Sequence, residues 1–267
     1  MSPMKAIKTF RDMLSFFTII PLGRTEDFVF TTAEYISLFP LIGAFVGLLA
    51  AGYFLASNFV TSYLLFFINF LVQVQVEILL KLIPATMTVA FLLVLTGLQH
   101  FDGLVDLGNA LGLSNLEERR AAAHKWTVSY KGALLGILVE ALAFLGLVFL
   151  SAENAFLSLI ASEVGAKLAI VTIAVVGKPT HRGLGSIFLE SAKRKRSIIA
   201  YFIATLITIP LLGFVGIGII LTSVLFGVLM GLVGKSVFGG VSGDMMGATN
   251  EVVRAAVLVF AAGAFAL

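Results

Sequence analysis

A chain of 267 residues with 59% hydrophobic and 12% charged side chains, at a mean hydropathy of +1.06, is excluded from the water-soluble domains, in which charged residues make up about 25%. The absence of cysteine excludes disulfides, thiolate metal sites and cysteine nucleophiles. A net charge of +3 carried on loops argues for membrane topology and anionic ligands, and against wrapping nucleic acid. The expected fold is all-α, a polytopic helical membrane protein of about seven or eight membrane segments. Residues 1–267 read as one transmembrane domain without internal repeat or low-complexity linker.

In chain order, Lys5, Lys8 and Arg11 precede an apolar run from Met13 to Leu22. That run is too short to cross and has no small-residue cleavage site after it, so it reads as an amphipathic or re-entrant segment. Runs long enough to span about 30 Å follow at Ile36 to Ser57, Phe59 to Val76 and Leu82 to Leu98. Further runs lie at Ala133 to Leu150, Ala155 to Val176, Ile198 to Phe214 and Val215 to Val233, with a short terminal run from Val252 to Leu267.

Basic side chains gather in three loops. The first holds Arg119, Arg120, Lys125 and Lys131, the second Lys178, Arg182, Lys193, Arg194, Lys195 and Arg196, and the third Lys235 and Arg254. Two spans separate each loop from the next, and the intervening loops near Glu153 and Gly213 carry no Lys or Arg. All three therefore share one face, cytoplasmic by the positive-inside rule. The basic N-terminus belongs on that face too, yet three runs before His100 would place it opposite. Lys81, with Gln73, Gln75 and Glu77 nearby, marks the second of those runs as the one that does not cross, since polar groups at depth are expensive.

The most informative stretch is Thr96 to Gly112, TGLQHFDGLVDLGNALG. On a helix, Asp102 and Asp106 share a face, and Asn109 follows three residues on. Oxygen-only ligands suit a hard cation such as Mg2+, which keeps several waters and leans on substrate phosphates. His100 is placed to act as base, phosphate partner or orienter. The plain alternative is that Asp102 favours a helix N-terminus and His100 sits at the water interface.

A second stretch, Phe238 to Arg254, reads FGGVSGDMMGATNEVVR. Gly239, Gly240, Gly243 and Gly247 are expected to let the backbone approach a ligand, and Asp244 and Glu251 add carboxylates beside Asn250 and Arg254. The same residues would also make a turn and an N-cap for the last helix. In a third stretch, Gly177 to Glu190, His181 and Arg182 lie in a Gly- and Pro-bounded loop suited to gripping phosphate, with Lys178 nearby. The basic run 193–196 fits anionic headgroups. Glu163 and Lys167, four residues apart within a membrane run, suggest a mutually neutralising pair. Cytoplasmic loops at about 100–131, 177–197 and 235–251 are thus expected to carry the site.

Together these residues resemble the cobalamin synthase, or adenosylcobinamide-GDP ribazoletransferase, family. The signature H-x-D-G-L-x-D is matched by His100, Asp102, Gly103, Leu104 and Asp106, and G-D-x-x-G-A-x-x-E by Gly243, Asp244, Gly247, Ala248 and Glu251. Weaker echoes are Phe17, Thr18 and Pro21; Phe39, Pro40 and Gly43; Glu163 and Lys167; and Arg182 with Gly183, Leu184 and Gly185. Two departures stand out. Asn109 replaces the family's third Asp, and His124, Lys125, Trp126 and Ser129 occupy a segment where the family usually carries an Asp and glycines.

The resemblance implies transfer of alpha-ribazole, or its 5'-phosphate, to adenosylcobinamide-GDP with release of GMP, at a multi-pass inner-membrane enzyme whose site faces the cytoplasm. It implies catalytic roles for His100, Asp102, Asp106, Asp244 and Glu251, and Mg2+ held by Asp102, Asp106, Asn109 and Asp244. Substrate contacts would come from Lys167, His181, Arg182, Asn250 and Arg254. The lipid bilayer is an expected partner, as is a second copy of the chain in a homo-oligomer. Two rivals stay open: an enzyme like the CDP-alcohol phosphotransferases, whose D-G-x-x-A-R motif fails at Leu107 and Gly108, and a small-solute transporter using Glu140, Glu163 and Lys167.

Overall fold

The computed structural model describes residues 3–123, 125, 127–193 and 195–267. His124, Trp126 and Arg194, named above, lie outside the described residues. Among these the regular elements are helical: α1 (Pro3–Phe17), α2 (Phe28–Glu34), α3 (Phe39–Leu71), α4 (Val76–Leu95), α5 (Gln99–Ala110), α6 (Leu116–Ala123), α7 (Tyr130–Val148), α8 (Ala152–Val176), α9 (Leu184–Ala192), α10 (Ile198–Leu212), α11 (Phe214–Phe238) and α12 (Gly243–Ala266). Among the described residues seven helical segments are long and apolar enough to cross a membrane: α3, α4, α7, α8, α11, α12 and Lys195–Leu212, in which a short 3-10 turn extends α10 to 18 residues. The protein is a multi-pass helical membrane protein.

The second early run, the one marked by its polar flank, is not a separate crossing. Ile36 to Ser57 and Phe59 to Val76 are not two spans but parts of one, because α3 continues unbroken for 33 residues, about 50 Å at the helical rise. Ser57 and Asn58 are weak helix formers but not breakers, and neither Gly nor Pro stands beside them. The chain turns only at residues 72–75, where Asn69 Oδ1 accepts the Val74 N–H at 3.1 Å. Two crossings, α3 and α4, now precede His100, which returns it to the side of the N-terminus and removes the conflict in charge.

The N-terminal segment stays at that side. Helix α1 spans 15 residues, about 22 Å and too short to cross, and buries Met13, Leu14 and Phe17 while Met4, Lys5 and Ile7 remain exposed. Buried Asp12 accepts from Thr25 N at 3.2 Å and Thr25 Oγ1 at 2.8 Å, folding the following strand of chain back over α1. Ile19 N donates to the Leu95 carbonyl at 2.9 Å, so α1 ends where α4 ends.

Helix α8 is the axis of the bundle. Apolar on all sides, it has no solvent face to offer, and every residue from Ser158 to Ala174 is buried. Gly43 and Gly47 of α3 press against its backbone, since an added Cβ at either would strike the Glu163 or Leu159 and Ile160 main chain. The charged Glu163 and Lys167 consequently sit at the centre of the protein.

The terminal helix also begins earlier than the hydropathy indicated. Helix α12 starts at Gly243, nine residues before Val252, with Ser242 as its N-cap accepting the Met245 N–H at 3.3 Å. Asp244, Asn250 and Glu251, expected on a loop at about 235–251, are therefore on helical turns. Polar residues had masked them from a hydropathy reading.

Candidate active site

Two consecutive left-handed residues, Gly97 (φ 62°) and Leu98 (φ 60°), stop α4 and restart the chain as α5. The second is costly for a side chain with a Cβ. The break redirects His100, Asp102 and Asp106 onto one short helix packed against α12. Contact is backbone to backbone: a Cβ on Gly103 would collide with the Asp244 carbonyl, and one on Gly247 would lie 3.1 Å from His100 Cα. The glycines of both motifs thus serve helix approach. Gly247 and Gly240 were expected to admit a ligand and instead pack on His100 and on the Lys178 carbonyl, while Gly239 (φ 76°) ends α11. Only Gly243 of the four faces open space.

The helix crossing gathers three carboxylates. Asp102 is exposed, Asp244 half-buried and Asp106 buried. Burial, then the neighbouring Asp102 and Asp244 charges, push the Asp106 carboxyl up to about 7. Among the described residues no three His, Asp or Glu side chains converge into a complete metal cage. Asn109 lies beside Asp106, whose carboxylate it helps to stabilise, and it also holds the next loop: its Oδ1 accepts Ser129 N at 2.9 Å and its Nδ2 donates to the Thr127 carbonyl at 3.0 Å. It clasps the loop entering α7.

Beneath the carboxylates lies a second, fully enclosed charge cluster. Arg254 Nε and one terminal nitrogen donate to Glu163 and Glu251. Lys167 Nζ stands 3.5 Å from Glu163 and donates to Asn250 Oδ1 at 2.6 Å. Asn250 Nδ2 in turn donates to Glu251 Oε1 at 3.2 Å. His100 is the link upward, its Nδ1 3.6 Å from Glu251 Oε1. Burial, with Lys167 and Arg254 nearby, holds the His100 imidazole well below its ordinary pKa of 6.5, so it is neutral. Glu140 of α7 brings a further carboxylate beside Glu251, with both oxygens buried and, among the described residues, not reached by an N–H donor.

Asp244 separates two recesses. One is a cavity of about 220 Å3, mostly apolar, lined by four phenylalanines and bounded by Gln99, His100 and Asp244. The other is small, with Arg120, Thr180, His181 and Ser242 beside Ala123 and Phe238 around Asp244. The 177–183 loop reaches it because Val241 N donates to the Lys178 carbonyl at 2.7 Å and Thr180 N to the Val241 carbonyl at 3.2 Å. His181 Nδ1 pairs with Thr180 Oγ1 at 2.8 Å, and Arg182 is exposed beside it.

The structure therefore brings His100, Asp102, Asp106, Asp244 and His181 to one region. Lys167, Asn250, Glu251 and Arg254 lie behind it, engaged with one another, and none lines either recess. Arg120, Phe16 and Phe188 are additions. Arg120 had been counted only toward topology, and Phe16 and Phe188 are concealed among the 24 Phe of one membrane protein.

A family model described as cobalamin-5-phosphate synthase matches residues 9–262. The chain belongs to this family. Curated relatives named adenosylcobinamide-GDP ribazoletransferase align along nearly its whole length. That of Halorubrum lacusprofundi is 30% identical, covering 93% of this chain and 94% of the relative. Those of Methanosarcina mazei (26% identical, 94% and 90%) and Clostridium novyi (29%, 91% and 91%) are similar. No solved structure matches the chain. In family terms, the two signature motifs are the two helices that touch at Gly103 and Asp244. The weaker echoes join them, since Phe17 and Phe39 line the cavity and Gly43 seats α3 on Glu163.

Proposed function

We propose that this protein is an adenosylcobinamide-GDP ribazoletransferase of the inner membrane, with its site facing the cytoplasm. The observation that carries this reading is the backbone contact of α5 with α12, which brings Asp244 beside the helix that carries His100, Asp102 and Asp106. In the reaction a ribose hydroxyl of alpha-ribazole, or of its 5'-phosphate, forms a bond to the cobinamide-side phosphorus. The bond from that phosphorus to GMP breaks, and GMP leaves.

The carboxylates suit Mg2+. Three of them lie near one another at this crossing, and burial, with the neighbouring Asp102 and Asp244 charges adding to it, raises Asp106 to about 7. One or two carboxylates completed by water and phosphate oxygens is the usual arrangement for this ion. Asp102 and Asp106 would hold it, and when bound it neutralises charge on the transferring phosphate oxygens. Neutral His100 accepts a hydrogen bond from the attacking hydroxyl and so orients it. Asp244, on the cavity rim, takes the hydroxyl proton. Arg120, His181 and Arg182 meet the phosphates of the departing nucleotide. Glu251, Asn250, Arg254 and Lys167 hold His100 and α12 in register and do not touch substrate.

The test is release of GMP by purified protein given adenosylcobinamide-GDP, alpha-ribazole and Mg2+. Wild type turns over, and Asp102→Ala and Asp244→Ala each lose roughly 100-fold or more, the scale of removing one electrostatic contributor. Absence of GMP from the wild-type reaction would refute the assignment, and solute uptake by proteoliposomes without phosphate product would favour a transporter.

A further inference from the structure

The aromatic cavity beside His100 has a built shape that phosphate chemistry does not explain. Phe16 and Phe17 of α1, Phe39 of α3 and Phe188 of α9 form a closed circuit of rings. Centroid separations are 5.1 Å for 16–17, 4.8 Å for 17–39, 6.0 Å for 39–188 and 5.2 Å for 188–16. These residues come from three elements that the chain brings together from positions far apart. Lys167 Nζ lies 4.9 Å from the Phe17 ring, so the circuit also rests on the buried charge cluster.

Resting on the transferase reading above, we infer that this cavity receives the planar aromatic base of the acceptor nucleoside. Size agrees: an apolar cavity of about 150 Å3 takes one benzene ring, and this one, at about 220 Å3, has room for a fused bicycle. Polarity selects among bicycles. The polar groups of the wall, Gln99, His100 and Asp244, lie toward the carboxylates, while the rest is Phe, Ile170, Leu184, Met246 and glycine. A guanine pushed into it would bury a carbonyl, a ring N–H and an amino group without enough partners, and a site lacking those partners rejects it. The dimethylated benzo edge of the ribazole base brings no such groups. Position agrees as well, since one ribose ring separates base from hydroxyl and His100 and Asp244 line the same cavity.

The test uses full-length protein in detergent. Phe188→Ala and Phe16→Leu remove parts of the ring wall, and Gly243→Leu adds bulk where a new Cβ meets no atom within 4 Å, sparing the packing. Each is expected to raise KM for alpha-ribazole about tenfold, the scale of losing one stacking face, with KM for adenosylcobinamide-GDP shifting less than about twofold. Equilibrium dialysis with free 5,6-dimethylbenzimidazole should show binding to wild type that Phe188→Ala abolishes and that GMP does not displace. An unchanged acceptor KM in all three variants, a rise confined to the adenosylcobinamide-GDP KM, or displacement of the base by GMP would overturn the inference while leaving transferase turnover intact. A wild type that releases no GMP would instead bring down the transferase reading, and this inference with it.

Discussion

Two clusters of charge lie one above the other in this protein, and they are built on opposite principles. Glu163, Glu251, Lys167 and Arg254 are buried, opposite in sign and bonded to one another on α8 and α12. Asp102, Asp106 and Asp244 are alike in sign, nearer the surface, and repel. The lower cluster is complete in itself, and four charges that cancel fix how two central helices meet. The upper cluster sets like charges side by side, and burial with the neighbouring Asp102 and Asp244 charges raises Asp106 to about 7. Burial and partner thus separate carboxylates that look alike as letters.

Breaking the lower cluster should have the largest effect. Arg254→Met strands Glu163 and Glu251 without their common partner, and removing one side of a buried pair costs about 3–5 kcal/mol. Thermal unfolding in detergent should show most of the protein lost or melting far below wild type. Gly103→Ala comes next, because its methyl group must push α5 off the Asp244 carbonyl at an overpacking cost of about 1–3 kcal/mol. GMP release should fall much further than the melting temperature does, and equal losses would mean the crossing matters only for folding.

The upper cluster sharpens the contrast through pH. With its carboxyl raised from 3.8 to about 7, Asp106 binds its proton more tightly folded than unfolded. Its protonated form therefore favours the fold at low pH, and that contribution is lost as pH rises through about 7. In chelator, the melting temperature of wild type should drop between about pH 5 and about pH 8, and Asp106→Asn should flatten that drop while abolishing turnover. A wild-type profile as flat as the variant's would contradict the crowding of the three aspartates. The smallest effect belongs to Glu140→Gln, which replaces a carboxylate beside Glu251 with an amide donor. A melting temperature equal to or slightly above wild type is expected, whereas a marked loss would show that Glu140 has a partner the lower cluster needs.

Much of this was legible in the letters. Mean hydropathy and run length identified spanning helices, and the spacing of Asp102, Asp106 and Asn109 placed them on one face of a helix, which α5 is. The order of the two motifs pointed to the family. Less legible were boundaries where polarity and helix disagree: the weak break at Ser57 and Asn58 suggested two spans, and the polar start of α12 hid nine residues of helix.

The sequence by itself determined that the chain spans a membrane, which family it resembles and where its charged motifs lie, because hydropathy, helical period and charge act over short stretches. Tertiary structure alone decided which carboxylates are enclosed and which border a recess. It put Glu251 and Arg254 into a closed network and left Asp244 at a rim, though all three share one helix. It also drew residues 16, 17, 39 and 188 into a single ring circuit. Those outcomes depend on where whole helices cross, and no local pattern in the chain encodes a crossing.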